Sequence, residues 1–175
     1  MMDQTKGTEP KNYRAELIEM AKTDQSERDK MRRGETFDAE TIDRRNTERL
    51  KEIINSIGWP RISLVGEEAA GGAWLIVQHA DHDTPFQEAC LKTIKGLPEG
   101  EVELEEIALL EDRVRMNRKL PQLYGTQGFP NKNGEFEPFP IADPKNLEAR
   151  RKKMGLVPFS DYKEAMEKIY EQILK

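Results

Sequence analysis

A chain of 175 residues can bury a core without staples, and its single cysteine, Cys90, excludes an intramolecular disulfide and dithiol redox chemistry. Charged residues make up 35% and apolar residues 36%, a balance that favours amphipathic helices with heavily charged outer faces. The net charge of -5 argues against generic nucleic-acid binding and against electrostatic attraction to an anionic membrane.

Residues 61–120 hold 7 basic and 12 acidic side chains, so this acidic middle carries the whole excess. The N-terminus is polar and has no signal-peptide core, and no stretch approaches the ~20 apolar residues that cross a bilayer. The expectation is a cytoplasmic protein with a disordered lead-in over residues 1–11 and a single helical domain over 12–175.

In chain order, Tyr13, Leu17, Met20 and Ala21 share one helical stripe. The continuation to Gly34 is almost entirely polar, which predicts a solvated extension that covers another element at most through Met31. A second helix carries Ile42, Leu50, Ile53, Ile54 and Ile57, with Asp38 or Thr41 as its cap and Gly58-Trp59-Pro60 as its stop. Residues 61–66 read as a short strand or an irregular entry. Gly66, Glu67 and Glu68 then suit a helix N-terminus. The uncharged run from Ala69 to Val77, with Gly71 and Gly72, predicts a central buried helix that a neighbouring backbone can approach closely.

That helix ends in Gln78-His79-Ala80-Asp81-His82-Asp83. Thr84 or Asp83 caps the next helix, with Gln87 or Glu88 placed for a capping box and Phe86, Cys90, Ile94 and Leu97 on its apolar stripe. A further helix runs from Leu104 to about Asn117. Residues 121–141 contain four prolines and no helical period, and Asn131-Lys132-Asn133-Gly134 marks a turn, so a small β-hairpin is expected near residues 122–141. Asp143-Pro144 opens a helix that Gly155 closes, and Ser160 or Asp161 caps a terminal amphipathic helix. The predicted class is mainly α.

Polar residues with chemical potential fall into three blocks. His79 sits where the most buried helix meets polar chain, a setting that suits a general acid or base, with Asp81 as its orienting carboxylate. A ring bonded to nearby backbone carbonyls is the structural alternative. His79 and His82, three apart, have the spacing to share a metal with Asp81, Asp83 or Asp112. Glu68, ~16 Å away along the axis, lies too far to join them. No spacing is diagnostic, and neither a metal nor a cofactor is assigned.

On the 104–117 helix, either Asp112 or Arg113 faces inward, while Glu111 and Arg115 form an i,i+4 pair. Gln122-Leu123-Tyr124-Gly125-Thr126-Gln127 interleaves amides, a phenol and a hydroxyl with a glycine. Such a block serves either to bind a polar ligand or to cross-link the hairpin. Arg150-Arg151-Lys152-Lys153 falls at a helix C-terminus, where cations are favoured.

Asp24-Gln25 with Arg28, Gly58-Trp59-Pro60, Leu64-Val65-Gly66-Glu67-Glu68, Trp74 with Gln78-His79-Ala80-Asp81, Asp112-Arg113-Val114, Gln122 to Gln127, and Arg150-Arg151 with Gly155-Leu156 together resemble a family of bacterial proteins catalogued only as a domain of unknown function. The resemblance runs from about Tyr13 to Tyr162 and implies a bacterial, intracellular protein; it transfers no catalytic role. Gly71-Gly72 departs from the pattern and predicts extra room beside the central helix.

Two functions fit these residues. One is an enzyme of hydrolase or transferase type acting on a polar small molecule. In it His79 and Asp81 would be catalytic, with Gln78, Asp112, Arg113, Gln122, Tyr124 and Gln127 as ligand contacts. The other is a non-catalytic module that binds a protein partner and uses the same polar blocks as a structural network.

Overall fold

The computed structural model describes residues 10–36 and 38–173; among them are eight α-helices and one two-stranded antiparallel hairpin, so the chain is mainly α. The lead-in expected over residues 1–11 lies outside the described residues except for Pro10 and Lys11, which already belong to the first helix. No described helix is long and apolar enough to cross a membrane. The chain forms two compact units, one running to His82 and including Gly96–Val102, the other comprising Asp83–Lys95 and Glu103–Lys175.

The first unit is built on an antiparallel helix pair, α1 (Pro10–Arg32) and α2 (Ala39–Ile57). Asp38 caps α2 by accepting from the Thr41 amide, and Gly58 ends it with a positive φ of 74°. Three contacts fix the antiparallel register: Tyr13 Oη donates to Ser56 Oγ, Arg49 clasps Glu16, and Arg28 reaches Asp43. Leu17, Leu50 and Ile53 are fully buried, each worth ~1.5–3 kcal/mol of hydrophobic stabilisation.

Residues 62–65 form a short helix, α3 (Ile62–Val65), and neither a strand nor an irregular entry. Pro60 and Gly66 bracket a segment with room for one turn. That turn closes through Gly66 N to Ile62 O, and Glu101 ties it down by accepting from the Ser63 amide and hydroxyl.

α4 (Glu67–Gln78) is the buried helix that its composition predicts, with Ala69, Ala70, Ala73, Ile76 and Val77 in the core. Gly72 does not open extra room. A Cβ at Gly72 would stand 2.9 Å from the Leu17 carbonyl oxygen, so glycine here lets α1 and α4 approach at backbone distance.

In the second unit α5 (Thr84–Lys95) packs on α6 (Leu104–Asn117). Asp83 caps α5 by accepting from the Phe86 amide. Gln87 is buried and accepts from Asn117, while Glu88 pairs with Arg118. The expected Glu111–Arg115 pair is replaced. Glu111 binds Lys95, and Arg115 donates to the Pro121 carbonyl.

The hairpin consists of β1 (Gly128–Pro130) and β2 (Phe136–Pro138), in register Gly128↔Pro138, Phe129↔Glu137 and Pro130↔Phe136. Its turn is held by Asn131 Oδ1, which accepts from the amides of Asn133 and Glu135. Phe136, 2% exposed, meets Tyr162 edge-on and stacks on Tyr170. These tyrosines lie on the last helix, α8 (Phe159–Ile173), which follows α7 (Leu147–Lys153).

Candidate functional site

His79 caps the C-terminus of α4, its amide bonded to the Leu75 carbonyl. Its ring turns toward the α1/α2 pair and bonds side chains instead of backbone carbonyls. Nδ1 lies 3.1 Å from Oδ1 and 3.0 Å from Oδ2 of Asp24, a carboxylate that is 1% exposed. Arg28, one turn further along α1, places Nε 3.2 Å from Asp24 Oδ2 and 3.1 Å from the same Nδ1, and its Nη2 is 2.5 Å from Asp43 Oδ1 on α2. Gln25 Nε2 adds a fourth contact, 2.8 Å from Asp24 Oδ2. Three helices thus meet at the Asp24–Arg28 pair, α4 through His79 and α2 through Asp43.

The proton arrangement follows from counting donors. With the proton on Nδ1, His79 and Arg28 each donate to Asp24, and both carboxylate oxygens are satisfied. With the proton on Nε2, Arg28 donates to Nδ1, and Asp24 Oδ1 faces a bare lone pair. The first arrangement makes the additional bond and leaves Nε2 as an acceptor. Nε2 has no partner among the described residues, and the ring is 17% exposed.

Burial alone would raise the Asp24 carboxyl, but the His79 hydrogen bond and charge, the Arg28 charge and the Gln25 hydrogen bond hold it below its ordinary 3.8. Asp43 shifts the other way: its burial outweighs the attraction of Arg28 and pushes its carboxyl up. Asp24, Asp43 and His79 each bring one ligand atom to within 4.8 Å of the others, a donor set suited to a divalent transition ion. The Arg28 guanidinium is already bonded to both carboxylates, so an ion could take those oxygens only if Arg28 swung out.

Asp24, Arg28 and Asp43 are the residues that sequence periodicity leaves out. The polar half of α1 reads as solvated, yet the i,i+4 pair Asp24–Arg28 points inward there. The position expected to orient the imidazole, Asp81, is exposed in a 3₁₀ turn (Asp81–Asp83) together with His82, and Gln78 is half-buried at the end of α4.

The other sequence-derived candidates, Asp112, Arg113, Gln122, Tyr124 and Gln127, belong to the second unit and form a network of their own. The inward residue on α6 is Asp112, fully buried. Its carboxylate accepts from the amides of Leu123, Tyr124 and Thr126 and from the Thr126 hydroxyl, at 2.6–3.1 Å. Burial raises this carboxyl, and the hydrogen bonds from the amides and the Thr126 hydroxyl offset only part of the rise.

Gln122 bridges the loop to the hairpin region. Its Nε2 donates to the carbonyls of Gln127 and Phe139, and its Oε1 accepts from the Gln127 amide. Gln127 Oε1 in turn accepts from Arg113 Nη1 at 3.0 Å. At Gly125 (φ 71°) a Cβ would stand 2.9 Å from the Phe159 ring. The Tyr124 phenol is half-buried, and burial beside Glu111 and Asp112 raises it.

Two residues of the basic block, Arg150 and Arg151, contribute to this network, while Lys152 and Lys153 are exposed in the last turn of α7. Arg150 donates to the carbonyls of Leu123 and Ala142. Arg151, fully buried, donates to the carbonyls of Tyr124 and Val157, and its guanidinium lies over the rings of Phe159 and Tyr162. Burial lowers Arg151 and pushes the Tyr162 phenol up to about 12, and that phenol donates to the Thr126 carbonyl.

No curated protein and no solved structure matches the chain. The match is to a protein-family model that covers residues 11–175, nearly the full length and all of the residues just described. The chain belongs to that family, a family of unknown function designated DUF6624.

Proposed function

We propose that the protein is a bacterial, cytoplasmic enzyme that carries out hydrolysis or group transfer on a polar small molecule, with His79 as its general acid–base and Asp24 as the carboxylate that orients it. One observation carries this reading. His79 Nδ1 is held by a buried carboxylate, while Nε2 has no partner among the described residues on a ring that is not fully covered. A histidine kept for structure alone would use both nitrogens. One held nitrogen and one available acceptor is the arrangement that general-base catalysis requires. Arg28, bonded to both carboxylates, keeps Asp24 ionised and fixes its rotamer.

A substrate panel tests this. Wild type, His79→Gln and Asp24→Asn are assayed on p-nitrophenyl esters and phosphate esters and on mixed metabolites followed by mass spectrometry. His79→Gln should lower turnover by about 10²–10⁴-fold, the usual contribution of a positioned acid–base group, with the fold intact by circular dichroism. Turnover that survives His79→Gln would refute the assignment.

A second reading, a non-catalytic module that binds a protein partner, draws support from the second unit. There Asp112, Gln122 and Gln127 spend their polar atoms on the chain itself. A His79→Ala variant that loses stability but keeps the protein's cellular effect would favour it.

A further inference from the structure

The cluster around Asp24 holds a contact that its protons alone do not resolve. Arg28 Nε–H is shared between Asp24 Oδ2 at 3.2 Å and His79 Nδ1 at 3.1 Å. With the proton on Nδ1, the arrangement that satisfies Asp24, two N–H donors meet there. With the proton on Nε2, the Arg28 contact becomes a hydrogen bond, but the Nδ1 lone pair faces Asp24 Oδ1 at 3.1 Å.

A divalent ion in place of the guanidinium removes the conflict. Asp24, Asp43 and His79 each bring one ligand atom to within 4.8 Å of the others, and Nδ1 already stands 3.0 Å from Asp24 Oδ2. Donors bound at ~2.0–2.2 Å to one tetrahedral ion lie ~3.3–3.6 Å apart, so small side-chain movements bring the three to a common centre. The cluster is not sealed. The side chains of Arg28, Asp43 and His79 are 18%, 14% and 17% exposed, which leaves the guanidinium a way into solvent.

We propose that Asp24, Asp43 and His79 bind a divalent first-row transition ion through one oxygen of each carboxylate and the imidazole Nδ1, with Arg28 as the cation that the ion displaces. An imidazole among the donors favours zinc-like ions over magnesium and calcium, which take oxygen ligands. On binding, Nδ1 gives its proton to solvent, and Arg28 turns outward. The site shares residues with the acid–base assignment but does not depend on it, because its readout is bound metal and not turnover.

The test titrates cobalt(II) into the full chain, with zinc as competitor. Wild type should bind one ion and develop a visible absorption band that zinc abolishes, and zinc should shift the ring ¹⁵N resonances of His79 and leave those of His82 in place. Asp43→Asn and His79→Gln should each weaken cobalt binding more than about tenfold, since even groups behind a metal ligand contribute that much. His82→Gln should leave binding unchanged. Arg28→Met should tighten it, because no side-chain cation then competes for the carboxylates.

The absence of a saturable cobalt band, or a His79 ring that zinc does not shift, would overturn the proposal in wild type, whatever the variants do. So would binding that survives Asp43→Asn, binding lost in His82→Gln, or no gain in Arg28→Met. Cobalt binding in a protein whose turnover survives His79→Gln would support this site and refute the acid–base reading alone.

Discussion

Asp112 and Arg151 are linked through one stretch of backbone: the carboxylate takes the Tyr124 amide, and the guanidinium takes the Tyr124 carbonyl. Opposite charges therefore grip the two polar groups of a single residue, and the loop between them is fixed by both. Asp112→Asn should cost about 3–5 kcal/mol, since it turns an NH₂ toward backbone donors and leaves Arg151 without its distant counter-charge. Chemical denaturation measures this, and a loss under 1 kcal/mol would contradict the account.

Gly72→Ala should destabilise the protein by about 1–3 kcal/mol, the usual penalty for overpacking, because the new methyl meets the Leu17 carbonyl oxygen. The added Cβ would also approach Ala21 Cβ at 3.3 Å. Ala21→Gly should nevertheless fail to rescue the variant, since the nearer obstacle is main chain. Full rescue would place the obstruction at Ala21 instead.

Arg28→Met leaves Asp24 and Asp43 without their shared cation. Both ion pairs are mostly buried, and after allowance for their residual exposure the loss should be about 1–3 kcal/mol. Asp43→Asn in the same chain should recover part of it. A double-mutant cycle on Arg28 and Asp43 reads the coupling directly, and strict additivity would show that the pair contributes nothing.

The acid limb of the stability curve tests Asp24. Its folded carboxyl lies below 3.8, so the unfolded chain binds the proton more readily. The stabilisation is complete above that value and is lost as pH falls through the lower folded one. Asp43 and Asp112 are raised, so their contributions run in the opposite sense, present at low pH and lost as pH climbs. Asp24→Asn should therefore flatten the fall in unfolding free energy below pH 3.8. Equal slopes in both proteins would rule out the shift.

Apolar periodicity makes the helices legible because a buried stripe repeats every turn whatever lies opposite it. The caps Asp38 and Asp83, the stop at Gly58 and the turn at Asn131 follow from local backbone chemistry in the same way. The partner of a buried polar group is not local. Asp24 lies 55 residues from His79, and nothing in the pattern of α1 tells an inward aspartate from a solvated one. Arg151 is obscured for the same reason, since a basic run at a helix end already has a sufficient surface explanation. His79 stands out because it closes the uncharged helix at the point where the chain turns polar. The partner suggested for it, Asp81, is the nearer in sequence, whereas the contact is made across helices.

The assignment of Gly96–Val102 to the first unit, after α5 has joined the second, has a consequence for synthesis and inheritance. Glu101, which holds the α3 turn at Ser63, leaves the ribosome only after all of α5. The first unit therefore cannot be completed as a nascent chain until part of the second has been made. No single cut releases either unit whole, so recombination would have to carry both together or insert one within the other.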